Sequence, residues 1–154
     1  MNADMVVRAA VRTDVPALTL LVREYWNFES IPGFSVPGVT QLLTRILAEP
    51  ELGTVWVAER AGQLAGYLVA VHVFSFEQQG LMAEIDEFFV VPAARAAGVG
   101  AALLEAAESQ LARRGCVCLQ LQLARHNSRA REFYRRHGYR ERDGYELLDK
   151  RLTV

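Results

Sequence analysis

No apolar run in the sequence approaches the ~20 residues that a bilayer-spanning helix needs, although 51% of its 154 residues are hydrophobic. Arg8, Arg12 and Asp14 interrupt the N-terminal stretch, so it lacks the basic, apolar and small-residue sections of a secretory leader. The expectation is a cytoplasmic protein with no membrane partner. Cysteine is scarce: Cys116 and Cys118 are too few for a disulfide framework or a Cys-rich metal site, and they read as small buried thiols in an apolar strand. His72, His126 and His137 are scattered without metal-ligand spacing, so no metal is expected. Internal repeats, low-complexity stretches and linkers are also missing. At this length one core suffices, which predicts a single domain over 1–154.

Charge is nearly balanced, at a net −1, and this argues against nucleic acid as a partner. Its distribution is uneven. Residues 1–94 carry 5 Arg against 11 Asp and Glu, whereas residues 95–154 carry 12 basic against 7 acidic residues. The pattern suggests an anionic partner for the second half and a cationic one for the first.

Val6 to Val11 reads as a strand. Thr13-Asp14 followed by Pro16 then opens a helix running to about Trp26. A second helix starts at Ser35 and Pro37, repeats Leu42, Leu43, Ile46 and Leu47 at helical spacing, and ends before Pro50. Thr54 to Arg60 and Gln63 to Phe76, split by Ala61-Gly62, form a predicted hairpin. Glu77 to Gly80 is a turn, and a strand from Met82 to Val91 stops at Pro92. A helix over Gly98 to Arg114 ends at Gly115. Cys116 to Leu123 is a nearly continuous apolar strand, expected to be buried on both faces. A short helix covers Asn127 to His137, and strand-like pieces lie at Tyr139 to Arg142 and Tyr145 to Leu152. This order predicts an α/β (α+β) fold with helices on both faces of a mixed sheet.

The most informative segment is Glu84 to Gly100, EIDEFFVVPAARAAGVG. A strand runs into Pro92, and Arg95-Ala96-Ala97-Gly98-Val99-Gly100 then leads into a helix. Small residues here allow backbone N–H groups to converge at the helix N-terminus, where the partial positive charge favours phosphate. Neither GxxxxGK[ST] nor a GxGxxG after the first strand is present. Further on, Asn127-Ser128-Arg129-Ala130-Arg131-Glu132-Phe133-Tyr134 leads to Gly138-Tyr139. Ala130, Phe133, Tyr134 and His137 share one helix face at i, i+3, i+4 and i+7, which points Tyr134 inward.

Together, Arg-x-x-Gly-x-Gly after Phe-Val-Val-Pro, and Asn-x-x-Ala-x-x-Phe-Tyr-x-x-x-Gly-Tyr, resemble the two motifs of the GNAT superfamily of acetyl-CoA-dependent N-acetyltransferases. Specific residues match from about Glu84 to Tyr139; the first 80 residues match in pattern alone. The resemblance implies a mostly antiparallel sheet of six to seven strands. It implies that Arg95, Ala96, Ala97, Gly98, Val99, Gly100 and Ala101 wrap the coenzyme A pyrophosphate. It also implies that Phe89, Val90 and Val91 hydrogen-bond the pantetheine arm, a backbone N–H near Phe89 or Val90 polarises the thioester carbonyl, and Asn127 and Tyr134 complete the coenzyme site.

Acetyl transfer to an amine requires a held donor, a neutral amine, a stabilised oxyanion and a proton for the thiolate. A phenol of pKa ~10 stays protonated at neutral pH and can protonate a thiolate, so Tyr134 is the candidate acid. Glu84, Asp86 and Glu87 are the candidate bases. Glu84 aligns best with the glutamate of the histone-acetylating branch. In a regular strand Glu84 and Asp86 share a face and Glu87 lies opposite, a parity that a bulge would change. With no basic neighbour to lower their pKa, Cys116 and Cys118 are poor acyl carriers, and direct transfer in a ternary complex follows. Tyr25, Trp26, Phe28, Glu29 and Phe34 surround the region that forms a lip over the acceptor in this family. The expected acceptor is a primary amine, a small cationic metabolite. A protein N-terminus or lysine is the alternative within the same chemistry, and a basic-faced binding module, carrying Arg125, Arg129, Arg131, Arg135 and Arg136 beside a vestigial acetyl-CoA site, is the alternative outside it. A homodimer is left open.

Overall fold

The computed structural model describes residues 5–153, which fall into two compact units, Met1–Gln122 and Leu123–Val154. In the first unit the order is β1 (Met5–Ala9), α1 (Val15–Phe28), α2 (Val36–Ala48), β2 (Gly53–Arg60), β3 (Gln63–Ser75), β4 (Gly80–Val90), α3 (Val99–Arg113) and β5 (Cys118–Leu121). The strands form one sheet in chain order, antiparallel from β1 to β4, with β5 parallel to β4. The α/β class and mixed, mostly antiparallel sheet are as expected; the strand count is five among the described residues.

Strand alternation sorts the core onto two faces. Val55, Val57, Tyr67, Val69 and Phe89 pack with Val15, Leu18, Leu21 and Val22 of α1 and Val39 and Leu43 of α2. The alternate residues, Trp56, Leu68 and Ala70 among them, face the side on which α3 buries Val99, Leu103, Leu104, Ala107 and Leu111. Each fully buried Leu or Val contributes roughly 1.5–3 kcal/mol of apolar burial. Trp56 donates its indole N–H to Gln110 Oε1 at 2.7 Å, fixing α3 on the sheet. Where β3 passes β4 beneath α3, a Cβ on Gly66 would stand 2.8 Å from the Phe89 carbonyl oxygen, so that position excludes any side chain.

Asp14 does not cap α1 with its side chain. Instead both its oxygens accept from Arg8, at 2.7 and 2.9 Å, and Oδ2 also accepts the Val11 N–H. The Arg8 guanidinium holds the Asp14 carboxyl below the usual range, and the pair ties β1 to the start of α1.

Cys118–Leu121 is shorter than the predicted strand and half-buried throughout, because only four residues find partners on β4. Cys116 and Cys118 are therefore half-buried free thiols. In the second unit α4 spans Ser128–Arg136. The strands expected at 139–142 and 145–152 are absent: no described residue from 137 to 153 is in a helix or strand, and Tyr145, Leu147, Leu148 and Leu152 are exposed.

Candidate functional site

Pairing divides β4 in two. From Met82 to Ile85 it bonds β3 on one side and β5 on the other, in the register Met82↔Cys118 to Ile85↔Leu121. Beyond Ile85 the pairing to β5 stops, while β3 follows β4 as far as Val90. Phe89 and Val90 thus lie where β4 pairs with β3 alone among the five described strands.

The chain then passes through the turn at Pro92–Ala94 into α3. Ala96 and Gly98 both adopt positive φ, 64° and 79°, which turns the loop over the helix N-terminus. The first bond back into the helix is Ala102 N–H to Gly98 C=O at 3.0 Å, so the N–H groups of Val99, Gly100 and Ala101 have no acceptor within it. A Cβ built on Gly98 meets nothing within 4 Å, so the space beside it is open. These are the elements of an anion site at a helix N-terminus. The Arg95 Nε–H donates to the Val90 carbonyl at 3.0 Å, and its guanidinium carbon lies 5.0 Å from the Phe28 ring centre and 5.6 Å from that of Phe89. In this conformation it binds the loop to β4 and to the end of α1.

A bulge sets the three carboxylates. Val69 pairs with Glu87 and Ala70 with Ile85, so Asp86 is the extra residue on β4. The bulge reverses the regular-strand expectation, and Glu84, opposite Val71, and Glu87, opposite Val69, come to share the α1–α2 face. Glu84 accepts from the Gln120 and Gln122 amides at 2.7 and 3.2 Å. Glu87 accepts from the Trp26 indole N–H at 2.6 Å and from the Tyr67 hydroxyl at 2.8 Å. Burial raises the Glu87 pKa against the effect of these two donors, and Asp86 adds to the rise. Asp86 keeps an exposed surface, yet loss of hydration raises its pKa too, with the charge of Glu84 contributing.

Around these groups Tyr25 packs against Tyr67 and Phe89, at centroid distances of 6.5 and 5.9 Å, and Trp26 meets Phe34 edge-on at 6.0 Å. Burial pushes the Tyr25 phenol up to about 12, with Glu29, Glu87 and Asp86 adding negative charge. Tyr67, which the sequence reading did not single out, is raised by burial and by Glu87. Its signal was a tyrosine on the inward parity of an otherwise aliphatic strand, which needs a partner for its hydroxyl.

In the second unit Asn127 caps α4, its Oδ1 accepting the Ala130 N–H at 3.1 Å. Tyr134 is the buried residue of α4 and packs against the rings of Phe133 and Tyr139, while His137 is exposed. Arg131 pairs with Glu141, and Arg135 and Arg136 with Glu132, so the basic face is partly neutralised. Among the described residues no cluster of His, Cys, Asp and Glu could hold a metal ion, and no helix is long and apolar enough to cross a membrane.

Residues 18–139 match the acetyltransferase (GNAT) family. An uncharacterized N-acetyltransferase of Bacillus subtilis, YhfO, is 31% identical over 141 residues, 92% of this chain and 93% of that one. An integron cassette protein from the mobile metagenome of Cole Harbour Salt Marsh superimposes with a TM-score of 0.84 at 30% identity, covering 96% of this chain and 91% of its own. A predicted acetyltransferase from Clostridium acetobutylicum, solved with acetyl-CoA, shares the fold with a TM-score of 0.78 at 18% identity, over 94% and 96% of the two chains.

Proposed function

The chain belongs to the GNAT acetyltransferase family, and from that premise we propose that it transfers the acetyl group of acetyl-CoA directly to a small cationic primary amine. The observation that carries this reading is the end of β4 before α3: past Ile85 the strand pairs with β3 alone among the five described strands, and the loop from Arg95 to Ala101 that follows has open space beside Gly98 and the N–H groups of Val99, Gly100 and Ala101 without helical acceptors. An extended pantetheine arm would lie along Phe89 to Val91, and the pyrophosphate would take the N–H groups of Val99, Gly100 and Ala101. One conformational change accompanies this: the Arg95 guanidinium can meet a phosphate only by leaving Phe28 and Phe89.

Tyr134 is proposed as the acid that protonates the departing thiolate, and Asn127 as a residue of the coenzyme site through its amide N–H groups, since its carbonyl oxygen is committed to Ala130. The family's span across residues 18–139 supports reading both units as one functional domain. Burial raises the Cys116 thiol pKa, which supports direct transfer over an acyl-cysteine. For the acceptor, Glu29, Asp86 and Glu87 support an ammonium over a neutral or anionic group: they surround Tyr25 and form no ion pair among the described residues.

The test is acetyl-CoA consumption with detection of the free thiol, across polyamines, amino sugars, amino-acid amides and lysine-containing peptides. Turnover on free amines supports the proposal. Turnover confined to peptides moves the acceptor to a protein, and acetyl-CoA binding without turnover on anything removes the transferase reading.

A further inference from the structure

Three carboxylates stand on one strand, and the hydrogen bonds distinguish them. Both oxygens of Glu84 are held by amides from the β5 side, so Glu84 fastens β4 to β5 where the two are paired. Both oxygens of Glu87 are held by Trp26 and Tyr67, so Glu87 fastens α1 to the sheet. Protonating either would weaken the two bonds it accepts, since both favour the charged form. Asp86 differs in three respects. It accepts no hydrogen bond among the described residues; it is the residue the bulge adds; and it is the first residue of β4 past the last pair with β5, Ile85↔Leu121. Strand pairing opens at that point, and the residue there is the exposed carboxylate.

We propose that Asp86, displaced by the bulge at the end of the β4–β5 pairing, takes the proton from the acceptor ammonium. The proposal rests on the acetyl-transfer reading and names the base for it. An N–H bond of the ammonium breaks and its proton passes to an Asp86 carboxylate oxygen. The freed electron pair forms the C–N bond to the thioester carbonyl carbon, and the C–S bond breaks as the thiolate leaves with its pair. The thiolate takes the proton that the newly acylated nitrogen gives up, and Asp86 returns its proton to solvent, so one proton is released per turnover. The groups facing this locus are Glu84 and Glu87 on β4, Tyr67 on β3, Tyr25 and Glu29 at α1, and the uncharged Gln120 and Gln122 from the β5 side. The electrostatics favour a base stronger than an ordinary aspartate, because partial loss of hydration by its carboxylate and the charge of Glu84 both raise its pKa.

The proposal is tested on the full chain with pH profiles of kcat/KM for wild type, Asp86→Asn and Glu84→Gln. Two acceptors are used, the side-chain amine of Nα-acetyl-lysine (pKa ~10.4) and glycinamide, an α-amine (pKa ~8), and acetyl-CoA affinity is measured alongside by calorimetry. Asp86→Asn should bind acetyl-CoA as wild type does, lose on the order of 10²-fold with the more basic amine near pH 7, and lose less with the α-amine and at higher pH, where neutral amine is supplied by solution. Glu84→Gln should keep the ascending limb. An Asp86→Asn protein with wild-type limb and rate, or with equal losses on both amines at every pH, overturns the assignment. Wild-type protein that binds acetyl-CoA and acetylates neither amine nor any peptide overturns the transfer reading, and the assignment with it.

Discussion

The two halves of β4 belong to one continuous strand and have different pairing. From Met82 to Ile85 the strand lies between β3 and β5, and its carboxylate, Glu84, is spent on the Gln120 and Gln122 amides. From Asp86 to Val90 it keeps β3 alone and ends beside a loop with two positive φ angles and a helix N-terminus. Backbone groups that pairing satisfies hold the sheet together; those left at an open edge can hold a ligand. The change from one role to the other falls at a single inserted residue.

The largest effect that would sharpen this contrast lies off the strand. Tyr134→Phe keeps the ring and deletes the hydroxyl, so single-turnover acetyl transfer should slow by on the order of 10²-fold or more while acetyl-CoA affinity holds; a wild-type rate would leave Tyr134 a packing residue only. Next comes the open end itself. Gly98→Val places a β-branched side chain into the space beside the loop at φ 79° and should cost acetyl-CoA about 100-fold in affinity, the equivalent of two charge-assisted hydrogen bonds at about 1.5 kcal/mol each. Circular dichroism should show the fold retained, and an unchanged calorimetric Kd would break the contrast.

Smaller effects concern the sheet. Gly66→Ala drives a Cβ into the Phe89 carbonyl and should destabilise by roughly 1–3 kcal/mol in urea unfolding. Gly80→Ala, at the paired end, meets only Val117 at 3.8 Å and should stay within about 0.5 kcal/mol. The Asp14 contribution depends on pH. Its native pKa is lowered, chiefly by Arg8, so its contribution is fully present above the unfolded value of ~3.9 and is lost as pH falls through the native value. Asp14→Asn should therefore lower Tm by a few degrees at pH 6, about 1 kcal/mol, with the gap to wild type closing below pH 4.

The loop before α3 was legible because a strand, a proline, small residues and a helix in that order leave the backbone few conformations, and the helix-face spacing of Tyr134 pointed it inward. The bulge was not. Nothing in Ile85-Asp86-Glu87 marks an insertion; it becomes visible only when Val69 and Ala70 supply the opposite register. Tyr67 and Trp26 could be read as core aromatics, but their shared acceptor, Glu87, lies 20 and 61 residues away from them along the chain, and the bond appears only in the fold. The strands expected from Tyr139 to Leu152 did not form for a related reason: Tyr145, Leu147, Leu148 and Leu152 supply apolar side chains, yet no strand among the described residues pairs with this stretch, and those side chains are exposed.

The central claim, that the half of β4 beyond its pairing with β5 and the loop after it receive acetyl-CoA, is tested most directly by amide hydrogen exchange with and without acetyl-CoA. The account predicts new protection over 86–101, strongest at Val99, Gly100 and Ala101, with little change over 80–85. Protection that spares 86–101, or falls equally on both halves of the strand, would contradict it.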